Sequence, residues 1–255
     1  MTKIVALANQ KGGVGKTTTA INLGASIAAC ERRVLLVDLD PQANATSGIG
    51  VMDAKRSMYD VLIDKMPLSE IIRPTEIATL FVAPGSVDLV GAEVELRDAI
   101  GREYFLKRVL DPVASEYDYI FIDLPPSLGL LTVNGLTAAH SVLVPLQAEY
   151  FALEGVSQLL ATIERVQGAV NSALEIEGIV LTMYDERMNL TRQVAEEVRT
   201  HFGDKVYRTV IPRNVRLSEA PSFGKPIILY DIRSRGSEAY VALAKEFIHR
   251  AENVI

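Results

Sequence analysis

Cysteine is almost absent: Cys30 is the only one in 255 residues. A single thiol excludes an internal disulfide and leaves no ligand set for an iron–sulfur or thiolate metal centre. Because Cys30 follows the apolar helical run from Ile21 to Ala29, a small buried side chain is expected there. Long hydrophobic runs are missing as well, since no stretch approaches the ~18 apolar residues of a membrane span. Met1 leads almost directly into the strand-like Lys3-Ile-Val-Ala-Leu-Ala8 without a signal-peptide pattern, so a cytoplasmic protein is expected. There are no internal repeats, low-complexity tracts or Gly/Ser linkers, which makes one domain over residues 1–255 the expectation.

What is present is a chain that is 49% hydrophobic and 23% charged, enough to bury one large core. Its net charge of −6 argues at first against a polyanionic partner. The charge is uneven, however. Residues 1–182 carry 14 Lys/Arg against 22 Asp/Glu, whereas residues 183–255 carry 12 against 10. Within 205–235 the bases Lys205, Arg208, Arg213, Arg216, Lys225, Arg233 and Arg235 face only Glu219 and Asp231. Composition alone leaves two readings of this segment, a basic face for a polyanion or scattered solvated charges.

Apolar, β-branched runs at 4–8, 34–39, 80–83, 119–124, 142–146, 176–183 and 206–211 read as strands. Their hydrophobicity is continuous rather than alternating, so both faces are buried, as in a mainly parallel sheet covered by helices. Helical patterns fall between them at 16–29, 57–64 with Ser57 as N-cap, 85–99, 102–115, 128–139, 153–167, 190–201 and 237–251. The fold class is doubly wound α/β.

Ligands of such sheets sit at the carboxyl ends of strands, and three ends stand out here. After strand 4–8 comes Asn9-Gln-Lys-Gly-Gly-Val-Gly-Lys-Thr-Thr-Thr19. This departs from the usual phosphate loop, because Gln10 stands where the first glycine belongs and Lys11 adds a second cation. Gly12, Gly13 and Gly15 let the backbone around Val14 turn its amides inward at a helix N-terminus. Lys16 would reach the β- and γ-phosphates of a nucleotide, Thr17 would ligate Mg²⁺ and Thr18 would meet the α-phosphate. The second end, Val37-Asp-Leu-Asp-Pro41, offers Asp38 and Asp40, two residues apart and so on one side of a strand. Either acid could orient water or serve the metal, or Asp40-Pro41 could simply open a turn. At the third end Asp123 closes an apolar strand ahead of Pro125 and Pro126, fitting an acid that holds Mg²⁺ through water.

Together, Lys11-Gly-Gly-Val-Gly-Lys-Thr-Thr18, Val37-Asp-Leu-Asp-Pro-Gln-Ala-Asn44 and Ile120-Phe-Ile-Asp-Leu-Pro-Pro-Ser127 resemble the deviant Walker A ATPases of the P-loop class, and within them the ParA/Soj chromosome-partitioning family. The resemblance extends over essentially the whole chain, including Gln147 to Gly155 and Ile211 to Pro221. It implies that Lys11 crosses to a partner subunit and contacts its ATP, so that ATP drives a face-to-face homodimer. It further implies that Asp40 activates water, that Asp38 supports the metal region and that Asp123 is the second Walker acid. Glu149, within the stretch that continues Tyr150-Phe-Ala-Leu-Glu-Gly155, matches a segment near the nucleotide and dimer face. Pro212, Arg213 and Asn214 match one near adenine. The family binds double-stranded DNA without sequence preference, which points to Arg216 first, then Lys205, Lys225, Arg233, Arg235 and Lys245. Slow hydrolysis would be stimulated by DNA and a ParB-like partner, on a nucleoid-associated protein. A MinD-like membrane ATPase stays as the alternative, although the last residues, Lys245 to Ile255, are mixed in charge and lack a basic amphipathic tail. No Asn-Lys-x-Asp stretch for guanine occurs, and only two residues precede the first strand, so an operator-binding domain is not expected.

Overall fold

The computed structural model describes residues 2–149 and 152–252. Tyr150 and Phe151 of the matched 147–155 stretch therefore lie outside the described residues. The strands are β1 (Lys3–Leu7), β2 (Val34–Asp38), β3 (Arg73–Pro74), β4 (Leu80–Ala83), β5 (Tyr119–Asp123), β6 (Ser141–Gln147) and β7 (Glu175–Thr182). They form one sheet in the order β3-β4-β2-β5-β1-β6-β7, parallel throughout except for the short antiparallel edge β3. Parallel neighbours need helical crossovers. The longer helices are α1 (Lys16–Ala28), α2 (Asn44–Gly48), α3 (Met58–Leu62), α4 (Leu68–Ile71), α5 (Leu89–Glu95), α6 (Phe105–Leu110), α7 (Leu130–Ala138), α8 (Ala152–Ala169), α9 (Asn189–Phe202), α10 (Val215–Glu219), α11 (Ile227–Tyr230) and α12 (Arg235–Glu252).

The two-residue period of a strand sorts its side chains into two cores. Ile4 and Ala6 of β1, Leu35 and Val37 of β2, and Ile120 and Ile122 of β5 face α3 to α9. Val5, Leu7, Val34, Leu36 and Phe121 face α1 and α12, where they meet Ile21, Leu23, Tyr240, Leu243 and Phe247. The doubly wound sheet expected from continuous hydrophobicity is thus the fold observed. Asp38 and Asp123 follow Leu36 and Phe121 in that alternation, so both acids stand on the α1 side.

Several expected elements differ. Residues 206–211 do not form a strand: their pairing with β7 is reduced to the isolated bridge Ile179 to Val206, with a further bridge from Tyr184 to Pro212 beyond the strand's end. Tyr207 and Ile211 donate to Ile179 and Leu181 as a ladder would, but between them the amides of Arg208 and Thr209 turn to the Glu246 carboxylate of α12, at 2.8 and 2.9 Å. The 85–99 helix shrinks to α5. The 102–115 helix divides into a 3₁₀ turn at Arg102–Tyr104, then α6, then a turn at Ala114–Glu116. Pro112 lacks the N–H that would carry the ladder on, while the Asn134 side chain pins the first junction through Leu106 N–H and the Arg102 carbonyl. Cys30 is exposed, not buried. The helix stops at Ala28 and Glu31 takes a left-handed φ of 61°, which lifts the turn off the core. Among the described residues no helix is long and apolar enough to cross a membrane.

Candidate nucleotide and metal site

The glycine loop is built from the end of β1. Asn9 shapes it by donating to the Pro145 carbonyl at 2.8 Å and accepting the Lys11 amide at 3.0 Å. Gly13 and Gly15 take φ of 75° and 85°, a left-handed backbone that strains any other residue. Thr182, at the end of β7, ties the loop down by donating to the Val14 carbonyl at 2.8 Å. Helix α1 then starts with no side-chain cap and no acid in its first turn. Its leading amides and its dipole are left for an oxyanion.

Opposite the loop, Asp38 and Asp123 are register partners at the ends of adjacent strands β2 and β5. Asp38 is well supported. One of its oxygens accepts from Thr46 N–H at 2.8 Å and Thr46 Oγ1 at 2.7 Å, the other from the Asp40 amide at 3.2 Å. The Thr46 hydroxyl in turn accepts from the Gly85 amide at 2.9 Å. A Cβ at residue 85 would stand 2.9 Å from the Asp38 carboxyl carbon, so this approach needs glycine. Even with these bonds, burial and then the Asp40 charge push the Asp38 carboxyl up to about 6. Asp123 is fully buried, and neither of its oxygens has a hydrogen-bond partner of good geometry. Burial, then the neighbouring Asp38 charge, raises it well above the carboxylate range, while the Thr17 hydroxyl and Lys16 pull the other way. Lys16 is itself buried, which lowers its ammonium against the attraction of Asp123 and Asp40.

Two buried carboxylates with two unpartnered oxygens, beside Thr17, are a donor set suited to a cation. The oxygen chemistry suits Mg²⁺, which takes one or two carboxylates and completes its shell with water and phosphate. Among the described residues no group of three or more His, Cys, Asp or Glu is arranged to hold a metal, so a transition-metal cage does not fit. The arrangement has a cost in the free chain. Both acids hold protons more tightly when folded, so their contribution to stability is present in acid and lost as pH rises from the unfolded value toward and past 6. Asp123→Asn is therefore expected to raise the melting temperature of the nucleotide-free chain, by about 2–10 °C near pH 7 and by less near pH 5. Thermal scans across pH test this, and a variant that melts below wild type near pH 7 refutes it.

The remaining candidates fall into place unevenly. Asp40 is buried and close enough to act on Lys16, Asp38 and Asp123, and its carboxylate accepts from the Gln42 amide at 2.9 Å, the turn-forming geometry foreseen as its alternative. Lys11 reaches across the loop mouth to Glu149, Nζ to Oε2 2.5 Å, with both side chains about half exposed. Thr18 accepts from the Asn22 side chain through its carbonyl, leaving its hydroxyl unassigned. Arg213 donates its amide to the Tyr184 carbonyl, and Asn214 caps α10 by accepting from the Arg216 amide. Of the basic residues, Arg216 is paired with Glu219 at 2.8 Å and Asp231 at 3.5 Å, Lys225 with Glu76 at 3.5 Å, and Lys205 donates to the Ile176 carbonyl. Arg233, Arg235 and Lys245 are exposed. Thr46, Gly85 and Thr182 complete the site together with Asn9 of the loop itself, and the contacts of Thr46 to Asp38, Gly85 to Thr46, Thr182 to Val14 and Asn9 to Pro145 carry no sequence signal, because each joins residues outside any one motif.

A family model described as an AAA domain (AAA_31) matches residues 2–176. The sporulation initiation inhibitor protein Soj of Bacillus subtilis is 60% identical over 96% of this chain and 98% of its own length. The chromosome partitioning protein ParA of Myxococcus xanthus is 57% identical over 97% and 88%. Among solved structures, a Mycobacterium smegmatis protein named as a cobyrinic acid a,c-diamide synthase, with bound ATP analogue and magnesium, shares 39% identity at a TM-score of 0.87, covering 99% of this chain and 97% of that one. At 60% and 57% identity over nearly the full length, the likeness is one of family as well as fold: this chain belongs to the Soj/ParA chromosome-partitioning ATPases.

Proposed function

We propose that this chain works as one ATPase unit whose ATP-bound form dimerises face to face and holds double-stranded DNA, and whose slow hydrolysis resets it. The observation that carries the reading is the pair of unpartnered Asp123 oxygens beside Lys16, below an uncapped helix N-terminus. ATP lies with its phosphates on the amides of residues 12–18, Lys16 on the β- and γ-phosphates and Thr18 near the α-phosphate. Thr17, Asp123 and Asp38 would hold Mg²⁺, which when bound offsets the phosphate charge. Asp40 orients the attacking water. Lys11 acts on the nucleotide of the second subunit, with Glu149 at the same mouth, and Pro212, Arg213 and Asn214 lie toward the base.

DNA binding follows from duplication of the basic face. A monomer presents Arg233, Arg235 and Lys245, with Arg216, Lys225 and Lys205 available once their present partners are exchanged for phosphate. A dimer doubles that footprint, and a ParB-like protein completes the cycle by stimulating hydrolysis. DNA retention is measured without nucleotide and with ADP, ATP and a slowly hydrolysed analogue, with anionic liposomes in a parallel arm. Binding is expected with ATP and the analogue only, and log affinity should fall linearly with log salt at a slope of about −0.9 per phosphate contact. Nucleotide-independent DNA binding sinks the switch. Retention on liposomes instead of DNA moves the assignment to a membrane-positioning ATPase.

A further inference from the structure

The two acids at the ends of β2 and β5 are held in opposite ways. Both are fully buried, yet Asp123 has no hydrogen-bond partner of good geometry on either oxygen, whereas Asp38 accepts three bonds. The terminal torsion of an aspartate is broad, so the side chain alone does not decide which oxygen faces the pocket. Thr46 decides it. Its amide and its hydroxyl both donate to Oδ2, at 2.8 and 2.7 Å, and fill the two lone-pair sites of that oxygen. Oδ1 accepts only the longer bond from the Asp40 amide, at 3.2 Å, and keeps one site open.

The direction of these bonds is fixed by chemistry. The buried Thr46 hydroxyl has one proton to give, and its other neighbour, the Gly85 amide at 2.9 Å, can only donate. The hydroxyl therefore accepts from Gly85 and gives its proton to Asp38. The Thr46 amide has a simpler task, since it is a leading amide of α2 and Asp38 satisfies it. Holding the start of α2 thus needs the amide, and the hydroxyl is free for a second role.

We infer that Thr46 is a positioning residue for the metal-bound nucleotide: its hydroxyl, locked by Gly85, occupies Oδ2 of Asp38 and so reserves Oδ1 for the water shell of Mg²⁺. The inference rests on the proposed Mg²⁺-nucleotide site and adds to it a residue that touches neither nucleotide nor metal. Outer partners that orient a ligand of a metal ordinarily change its affinity by about 10–100-fold.

The test reads binding instead of turnover. Fluorescently labelled ADP is titrated onto the full chain in EDTA and at a series of Mg²⁺ concentrations, which gives the Mg²⁺ concentration for half of the gain in affinity. Thr46→Val keeps the amide and loses the hydroxyl, and is expected to raise that concentration about tenfold or more while leaving affinity in EDTA within about twofold of wild type. Thr46→Ser restores the hydroxyl and should return the half-point to within about threefold of wild type. Gly85→Ala presses on the same carboxylate from the other side, because the added Cβ falls 2.9 Å from its carbon, and should shift the half-point in the same direction. A wild-type half-point in Thr46→Val, even with a lowered melting temperature, leaves Thr46 a structural residue and overturns the proposal. So does a serine variant as impaired as the valine one. Should the valine variant not fold, a wild-type half-point in Gly85→Ala overturns the proposal by itself. If Mg²⁺ leaves the ADP affinity of the wild-type chain unchanged, the metal reading falls and the proposal with it, a result distinct from a Mg²⁺ effect that the variants fail to alter.

Discussion

Replacing Asp40 with alanine is expected to preserve ATP binding and ATP-dependent DNA retention while lowering turnover by about 10²–10⁴-fold, the usual contribution of a positioned base. The carboxylate is buried within reach of Lys16, Asp38 and Asp123, so its charge bears on the same pocket as the phosphates. It also accepts the Gln42 amide, and its carbonyl accepts the Ala43 amide at 2.8 Å, so the residue shapes the turn that delivers α2 and Thr46. Loss of the turn alone could disturb Asp38 and imitate a catalytic defect. Asp40→Asn separates the two roles, because an asparagine side chain accepts the same amide bond but takes no proton. A catalytic Asp40 leaves both variants inactive, with single-turnover hydrolysis as the measurement. A purely turn-forming Asp40 lets the asparagine variant recover, and wild-type turnover in the alanine variant removes the residue from the chemistry.

Much of this site was legible because its signals are local. Continuous apolar runs gave β1, β2 and β5, since a strand buried on both faces has no polar position to spare. The acids Asp38 and Asp123 stood out because each ends such a run, and α1 was marked by its glycines and Lys16. What escaped depends on distant partners. Thr46 holds Asp38 from eight residues away, and Gly85 holds Thr46 from 39 residues away, with no shared pattern to connect them. Residues 206–211 have strand composition, but a carboxylate from α12 takes the amides in the middle. The count of basic charges in 205–235 was correct and still overstated their freedom. Arg216 and Glu219 are three apart, a spacing that already suggests a helical ion pair, whereas its second acid, Asp231, comes from another element.

Lys11→Ala is expected to bind ATP within about threefold of wild type yet lose ATP-dependent dimerisation and, with it, DNA binding. The two lysines of the loop are held very differently. Lys16 is buried against its own site's acids, whereas Lys11 extends to the rim and rests on Glu149 through a half-exposed ion pair. Pairs of that kind are worth about 0–1 kcal/mol, a small barrier to exchange for the triphosphate of a second subunit. A cation arriving in trans discriminates triphosphate from diphosphate and can stabilise charge in the transition state, as an arginine finger does. The competing account is that Lys11 matters only as the partner of Glu149. Glu149→Gln distinguishes them, because it breaks the ion pair while leaving the lysine free to cross. Under the trans role this variant still dimerises with ATP, and only the lysine variant stays monomeric in light scattering. If the two variants fail together, Lys11 works through Glu149 in its own subunit, and if Lys11→Ala dimerises like wild type, the extra lysine has no part in joining two chains.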